Sequence, residues 1–358
     1  MKFLSRIGLE PFIICLFASI GLAKLAPSVG IAEFCGITLG DIATWGVAGI
    51  FFFYGLKLDR QKLAAGLVNV KLHLLVQVST FVLFPLIVLG AMWLFGAFDA
   101  RGDLHWLWIG TFFLASLPST VSSSVVMVSI AGGNIPAAIF NASISSLLGV
   151  FFTPLLMGIF LEGVDGSRGL GDVVLKLVFQ VIVPVVAGFA LNPKFGHIAA
   201  AHKKALRNFD QLTILLIVYT SFCDSYAKDM FAGFPMSDLV VLSVAMVALF
   251  VFAMAVVWGV CKLLRFNRED TITAVFCGSK KSLVHGSVMS KVLFDNPAVI
   301  GVVLLPTMLY HAYQLIIVSI IAQKLGKTAE SEGGKNRKNK MKKILDEFPH
   351  MRRFHTFL

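Results

Sequence analysis

A chain of 358 residues that is 57% hydrophobic and only 14% charged, with a mean hydropathy of +0.83, cannot wet the surface of a soluble body of its size. Soluble domains use about 25% charged residues. Soluble enzyme, nucleic-acid binder and secreted module are therefore excluded as whole-chain readings, and an integral membrane protein is expected. The net charge of +11 lies largely in short loops and a basic carboxyl-terminal stretch, where it sets orientation in a bilayer and calls for no nucleic-acid partner.

A membrane-crossing helix needs about 20 apolar residues. In chain order, qualifying segments begin near 8–27, 41–57, 72–97, 104–131 and 136–161, and continue near 172–192, 209–226, 237–264, 271–294 and 297–324. The first follows a basic start (Lys2, Arg6) but ends in no small-x-small cleavage site, so it reads as a helix and not a signal peptide. With the amino terminus inside, most of the 31 lysines and arginines fall on the cytoplasmic side. They are Lys57, Arg60, Lys62 and Lys71, then Lys194, Lys203, Lys204 and Arg207, then Lys262, Arg265 and Arg268, and the tail from Lys324 to Arg353. The outside receives Lys24, Arg101, Arg168, Lys176, Lys228 and Lys291, with most of the acids (Asp99, Asp103, Glu162, Asp165, Asp172, Asp224, Asp229). This bias predicts cytoplasmic termini and a multi-pass protein of the cell inner (plasma) membrane. Cys15, Cys35, Cys223, Cys261 and Cys277 show no CxxC spacing and read as small apolar residues, so neither a disulfide nor a metal site is expected.

Ten spans with both ends inside divide into five plus five in opposite orientation, the inverted-repeat plan of many secondary transporters. The expected division is 1–161 and 162–324, with 325–358 as a basic cytoplasmic tail near anionic lipid headgroups. Ser124-Val-Val-Met-Val-Ser-Ile-Ala-Gly-Gly-Asn134 in the fourth span echoes Gly286-Ser-Val-Met-Ser-Lys-Val-Leu-Phe-Asp-Asn296 in the ninth. Pro118 and Gly278 predict an interruption in each of these two spans. Freed backbone groups are tolerated in a bilayer only where protein or a wet cavity satisfies them, so paired breaks point to a midplane binding site. An ordinary kink with hydroxyls bonded to the preceding turn is the alternative.

The ninth span carries Lys280 and Lys281, flanked by Ser279 and Ser282. A lysine at the bilayer centre costs about 2.5–3.5 kcal/mol on insertion scales. Two readings stay open: snorkelling to an interface, or at least one ammonium facing a wet cavity as fixed charge for an anion or as a proton carrier. His285, four residues after Lys281, is expected on the same helical face. In the tail, Gly333-Gly334 is expected as a flexible joint, and Ile344 to Leu358 as a short interfacial helix or a disordered end.

Several of these segments resemble a known family. Phe53-Tyr-Gly-Leu-Lys-Leu58, Lys71-Leu-His-Leu-Leu-Val-Gln77, Val121-Ser-Ser-Ser-Val-Val126, Gly132-Gly-Asn134 through Ile139-Phe-Asn-Ala142, and Cys277-Gly-Ser-Lys-Lys-Ser282 are similar to the bile acid:sodium symporter superfamily. The branch is the SBF-like one, with bacterial candidate symporters and the seventh member of solute carrier family ten. Over about residues 5–325 the resemblance implies an all-α polytopic membrane protein of ten transmembrane helices in two inverted five-helix repeats. It further implies core and panel domains, and discontinuous fourth and ninth helices that cross at the substrate and sodium sites. Carried over residue by residue, it implies Ser122, Ser123 and Ser124 on the fourth helix, Asn141 and Ser143 on the fifth, and Gln77 or Thr80 on the third. The family's ninth-helix glutamate falls near Cys277 and its glutamine near Lys281. Two sodium ions beside two lysines with no carboxylate are electrostatically unfavourable, so coupling to protons is open beside coupling to sodium.

The expected function is symporter-type secondary transport of a small organic anion by alternating access. The alternative is a membrane regulator or sensor, as eukaryotic relatives are linked to calcium homeostasis. Gly169-Leu-Gly-Asp172 matches the GxGD of membrane aspartyl proteases, but no Tyr-Asp partner, HExxH, GxSxG or P-loop accompanies it. No enzyme, catalytic residue or cofactor beyond a coupling Na+ or H+ is expected, and the sequence sets no oligomeric state. Alkaline phosphatase fused after Leu358 should be inactive in cells, whereas an active fusion would overturn the orientation and the inverted repeat together.

Overall fold

Every described segment but one short hairpin is helical, as a chain immersed in lipid requires, because a helix satisfies its own backbone groups. The computed structural model describes residues 11–57, 69–100, 102–161, 178–230 and 236–347. Gly169–Asp172, Arg60, Lys62, the amino-terminal Lys2 and Arg6, the outer-loop charges Arg101, Glu162, Asp165, Arg168 and Lys176, and the last residues of the tail lie outside the described residues.

Helix α1 (Pro11–Leu25) and the short α2 (Pro27–Ile31) lead into a two-stranded antiparallel hairpin, β1 (Glu33–Phe34) and β2 (Ile37–Thr38). Helix α3 (Leu39–Lys57) follows. The third segment is α4 (Val70–Val78), a π-helical turn over Ser79–Leu83, and α5 (Phe84–Leu94). Asn69 caps α4 by accepting from the Leu72 amide at 3.3 Å. The π turn precedes Pro85, which has no N–H to give, and leaves a carbonyl of that turn free for another donor.

The expected fourth span is two pieces, α6 (Gly102–Ser116) and α7 (Ser122–Ala131), and the expected ninth is α12 (Arg268–Gly278) and α13 (Leu283–Leu293). Between these come α8 (Ile135–Leu161), α9 (Val183–Ala201), α10 (Lys203–Ala227) and α11 (Met236–Leu263), and α14 (Pro297–Glu347) closes the chain. Gly132, at φ +71°, ends α7 in the left-handed conformation that glycine adopts without strain. The two asparagines of the sequence echo have the same local job. Asn134 accepts from the Ala137 amide at 3.1 Å and Asn296 from the Ala298 amide at 3.2 Å, each at the start of the next helix.

Among the described residues, six helices are long and apolar enough to cross a membrane: Leu39–Lys57, Val70–Leu94, Ile135–Phe160, Val178–Ala201, Ser237–Leu263 and Pro297–Lys327. The other expected spans are short (α1), broken (α6/α7 and α12/α13), or polar along one face (α10, with Lys203, Arg207 and Asp210). Large apolar side chains such as Leu74, Trp93, Leu155 and Val241 face outward. The protein is thus a mostly helical, polytopic membrane protein.

Two expectations are corrected. Residues 279–282 are not helical, so the four-residue spacing of Lys281 and His285 does not place them on one face. Helix α14 also runs through Gly333-Gly334 without a joint, where flanking helix formers outweigh a cost of about 1 kcal/mol per glycine.

Helices α1, α3, α9 and α10 pack on one another, while α6, α7, α8, α11, α12 and α14 form a second group. Helix α10 also lies against α13 and α14. Contact between α3 and α9 is backbone to backbone, since a Cβ at Gly55 would meet the Val185 carbonyl and one at Gly188 the Phe52 carbonyl. Gly188→Ala should therefore lower the thermal midpoint in detergent, with overpacking costing about 1–3 kcal/mol. Gly158→Ala on α8, where a Cβ meets nothing within 4 Å, should not. Equal midpoints for the two variants would refute the close approach.

Candidate functional site

Breaking a helix inside a bilayer strands its last carbonyls and the next helix's first amides. At the end of α6 the carbonyls of Ala115 to Pro118 each find a donor. Ala115 and Leu117 accept from the Lys281 ammonium at 2.6 and 2.9 Å, and Ser116 accepts from the Thr153 hydroxyl at 2.8 Å. Pro118 accepts from the Ser282 amide at 2.9 Å, so the two interrupted segments touch through their backbones. The Ser119 amide donates to the Ser145 hydroxyl at 3.0 Å.

The second break is held by side chains of α14 and by a cap on α13. Tyr310 donates its hydroxyl to the Ser279 carbonyl at 2.6 Å. Gln314 reads the Lys281 peptide from both sides: its Oε1 accepts from the amide at 2.9 Å and its Nε2 donates to the carbonyl at 2.8 Å. Ser282 caps α13 by accepting from the His285 amide at 3.3 Å.

Lys281 is the centre of this arrangement. Besides Ala115 and Leu117, its ammonium donates to the Thr80 carbonyl of the π turn at 2.8 Å, so three N–H groups meet three carbonyl oxygens. The nitrogen also lies 4.3 Å from the centre of the Phe84 ring. The α6 carbonyls are the negative end of a helix dipole, a favourable place for a cation. Lys281 is 1% exposed.

Lys280, also buried, reaches elsewhere. Its ammonium donates to the Ser123 hydroxyl at 2.8 Å, Ser123 donates to Thr120 at 3.0 Å, and Thr120 and Ser124 share a bond of 2.8 Å. Ser123 and Thr120 line a cavity of about 450 Å³ between the crossing and helices α1, α3 and α10. Ser143, Ser282, His285 and His311 line the same cavity, and Tyr54 and Phe51 face them from α3. Lys57, Lys203, Arg207 and Asp210 line it at the end of α3 and the start of α10, with Lys57 and Asp210 paired at 3.2 Å.

The sequence-expected residues divide between these settings. Ser123, Ser143, Ser282 and His285 reach the cavity, and Lys280 stands one hydroxyl behind its wall. Thr80 meets the Lys281 cation, through its main-chain carbonyl; its hydroxyl bonds back to Val76 at 2.8 Å. Ser124 is buried behind Thr120, and Ser279 turns its hydroxyl to the Val275 carbonyl at 2.6 Å. Gln77 and Asn141 bond each other at 3.2 Å, away from both the ammonium and the cavity. Cys277 is buried within α12. Ser122 begins α7, and its side chain lies outside the described residues.

Sequence reasoning missed Tyr54, Thr120, Tyr310, His311 and Gln314. Two polar residues three apart in the apolar 297–324 segment were the available signal for His311 and Gln314, since polar groups inside a membrane span seldom lack a partner.

Interrupted helices crossing at a polar centre, beside a cavity between two helix groups, define a membrane transporter architecture. The chain belongs to the SBF-like CPA transporter family, whose model matches residues 10–327. It is 40% identical over 316 residues to an uncharacterized Pseudomonas aeruginosa protein, covering 88% of this chain and 92% of the relative. It is 36% identical over 323 residues to Escherichia coli YfeH, named as a candidate symporter, covering 90% and 94%. With rat sodium/bile acid cotransporter 7 it shares 32% over 329 residues, again covering 90% and 94%. The chain is therefore a multi-pass membrane transporter of a small molecule and not an enzyme.

Lys281→Met removes three donors at once. Each stranded buried carbonyl costs about 1–3 kcal/mol, so the variant should lose a large part of its thermal stability in detergent. A midpoint equal to that of the unaltered protein would show that water, not the ammonium, serves these carbonyls.

Proposed function

We propose that the protein is a secondary active transporter of a small organic anion, working by alternating access on ten membrane-spanning helices in two inverted five-helix repeats. Helices α1, α3, α9 and α10 act as the panel, and the remaining spans act as the core. The observation that carries this reading is the Lys281 ammonium at 2.6–2.9 Å from three carbonyls where the broken helices meet. Main-chain oxygens gathered around a monovalent charge are what a sodium site offers, and here the chain supplies the charge itself. Lys281 accordingly takes the place of a coupling cation, and Lys280, through Ser123, supplies positive potential to the cavity floor.

The remaining charge distribution agrees. Residues 72–97, 104–131, 136–161, 271–294 and 297–324 contain no carboxylate, so nothing in these spans offsets the two lysines by charge. Lys57, Lys203 and Arg207 outnumber Asp210 at the cavity mouth, which favours anions there. With the termini inside, that mouth opens to the cytoplasm. On this reading the Lys281 ammonium stands where a coupling sodium would, and any ion coupling runs through protonation of Lys280.

Uptake into proteoliposomes tests this, using carboxylates and sulfonates that include taurocholate, under separately imposed sodium and proton gradients. Accumulation should be indifferent to sodium. Lys280→Met should lower it by about tenfold or more, the effect of one lost charge-assisted hydrogen bond, while leaving the folded protein intact. Lys280→Arg, which holds its charge at every accessible pH, should keep binding and flatten the dependence on the proton gradient. Uptake that follows a sodium gradient and survives Lys280→Met would return the protein to an ordinary sodium-coupled scheme.

A further inference from the structure

His311 lies beside the crossing with its side chain on the cavity, and the hydrogen bonds around it determine which of its nitrogens carries the proton. The Lys281 N–H can only donate, so the Gln314 atom 2.9 Å from it is the carbonyl oxygen Oε1. Nε2 of Gln314 is therefore the amide nitrogen, with two hydrogens to place. One goes to the Lys281 carbonyl at 2.8 Å, and the other meets His311 Nδ1 at 2.7 Å.

Nδ1 at that distance must be an acceptor, because two N–H groups facing each other at 2.7 Å would repel. A proton on Nδ1 could instead reach the Lys281 carbonyl, but at 3.4 Å that contact is the weaker, and that oxygen already accepts from Gln314. The hydrogen of the neutral ring consequently sits on Nε2. Among the described residues no protein acceptor takes it, and the ring borders the cavity together with Ser282, Ser123 and Thr120.

We infer that His311 is a binding residue of this transporter, presenting a fixed Nε2–H to an oxygen of the anion, with Gln314 as the positioning residue that sets its tautomer. The inference rests on the cavity being the anion site. It ties recognition to the break itself, since the Lys281 peptide that orients Gln314 belongs to the interrupted segment. A shift of that segment would release Gln314 and with it the donor.

Nitrogen-15 NMR of histidine-labelled protein in nanodiscs at pH 7.5, with His311→Gln used to assign the signal, reads the tautomer without any ligand. A protonated Nε2 and a bare Nδ1 are expected. Gln314→Glu puts an acceptor against Nδ1 and should move the proton there. Recognition is read at Ser143→Cys, a reporter on the cavity wall, with the exposed Cys15 and Cys35 replaced by serine. The anionic sulfonate reagent MTSES is compared with uncharged methyl methanethiosulfonate, each normalised to its rate with a free thiol. His311→Asn, which removes the donor, should lower the anionic-to-neutral ratio by about tenfold. His311→Gln, whose amide reaches the Nε2 position, should retain it.

A proton on Nδ1 in the unaltered protein, or a ratio unmoved by His311→Asn, would overturn the inference. A ratio below one in the reporter protein itself would instead sink the anion reading of the cavity and remove the ligand-facing half of the inference. The NMR result would still judge the tautomer on its own.

Discussion

Every amide and carbonyl in a bilayer must find its partner within the protein, and the meeting of α6 with the 279–282 link concentrates that demand. The carbonyls of four consecutive residues, Ala115 to Pro118, are released there, and each is met by a named donor from another element. Lys281 serves two of them and a third from the π turn. One side chain thus ties the break after α6, the π turn of the third segment and the link between α12 and α13 together. The absence of carboxylates from these spans becomes intelligible. Carbonyl oxygens carry enough partial charge to hold an ammonium, and a carboxylate would add a desolvation cost that this geometry does not require.

The break also explains how two adjacent lysines can serve different ends. On a continuous helix, neighbours point about 100° apart and would share one side of the bundle. In the non-helical link between Gly278 and Leu283, successive side chains diverge far enough that Lys281 enters the carbonyl cluster while Lys280 turns to Ser123 and the cavity wall. Gln314 and Tyr310, one turn apart on α14, hold the link by its peptide groups. The link is therefore ordered without regular secondary structure, the condition under which irregular backbone persists at membrane depth.

Much of this was legible in the sequence, for physical reasons that can be named. Pro118 and Gly278 marked the two interruptions because one removes a donor and the other lowers the cost of leaving the helix. The buried lysines announced themselves by their insertion cost. Thr80 was picked out by the family resemblance, although the atom that matters is a carbonyl, which every residue has and no sequence pattern advertises. Gln77 and Asn141 looked equally suited to bind an ion, but Gln77 donates to Asn141, and Asn141 donates to the Ala137 carbonyl one turn back. That pairing depends on the approach of α4 to α8, and composition cannot report it. His311 and Gln314 sat in a segment read as plainly apolar, and their importance emerges only when α14 is laid against the link.

A cation that is part of the chain has a consequence that a free ion does not. A bound ligand shifts a conformational equilibrium only by the difference in its affinity for the two states, and it carries gradient energy only by arriving from one side and leaving to the other. The Lys281 ammonium can do neither, since it is tethered at every stage of the cycle. It can stabilise the crossing, but it cannot transduce a sodium gradient. On the proposed reading, net movement is driven through a group whose occupancy changes between the two sides: the solute itself, or a proton on Lys280. Since Lys280 reaches the cavity wall through the Ser123 hydroxyl, a rearrangement as small as one serine rotamer would alter its contact with water. On that reading the adjacent pair separates two roles that a single lysine would have to combine, one charge fixed to hold the fold and one placed where the transport cycle can reach it.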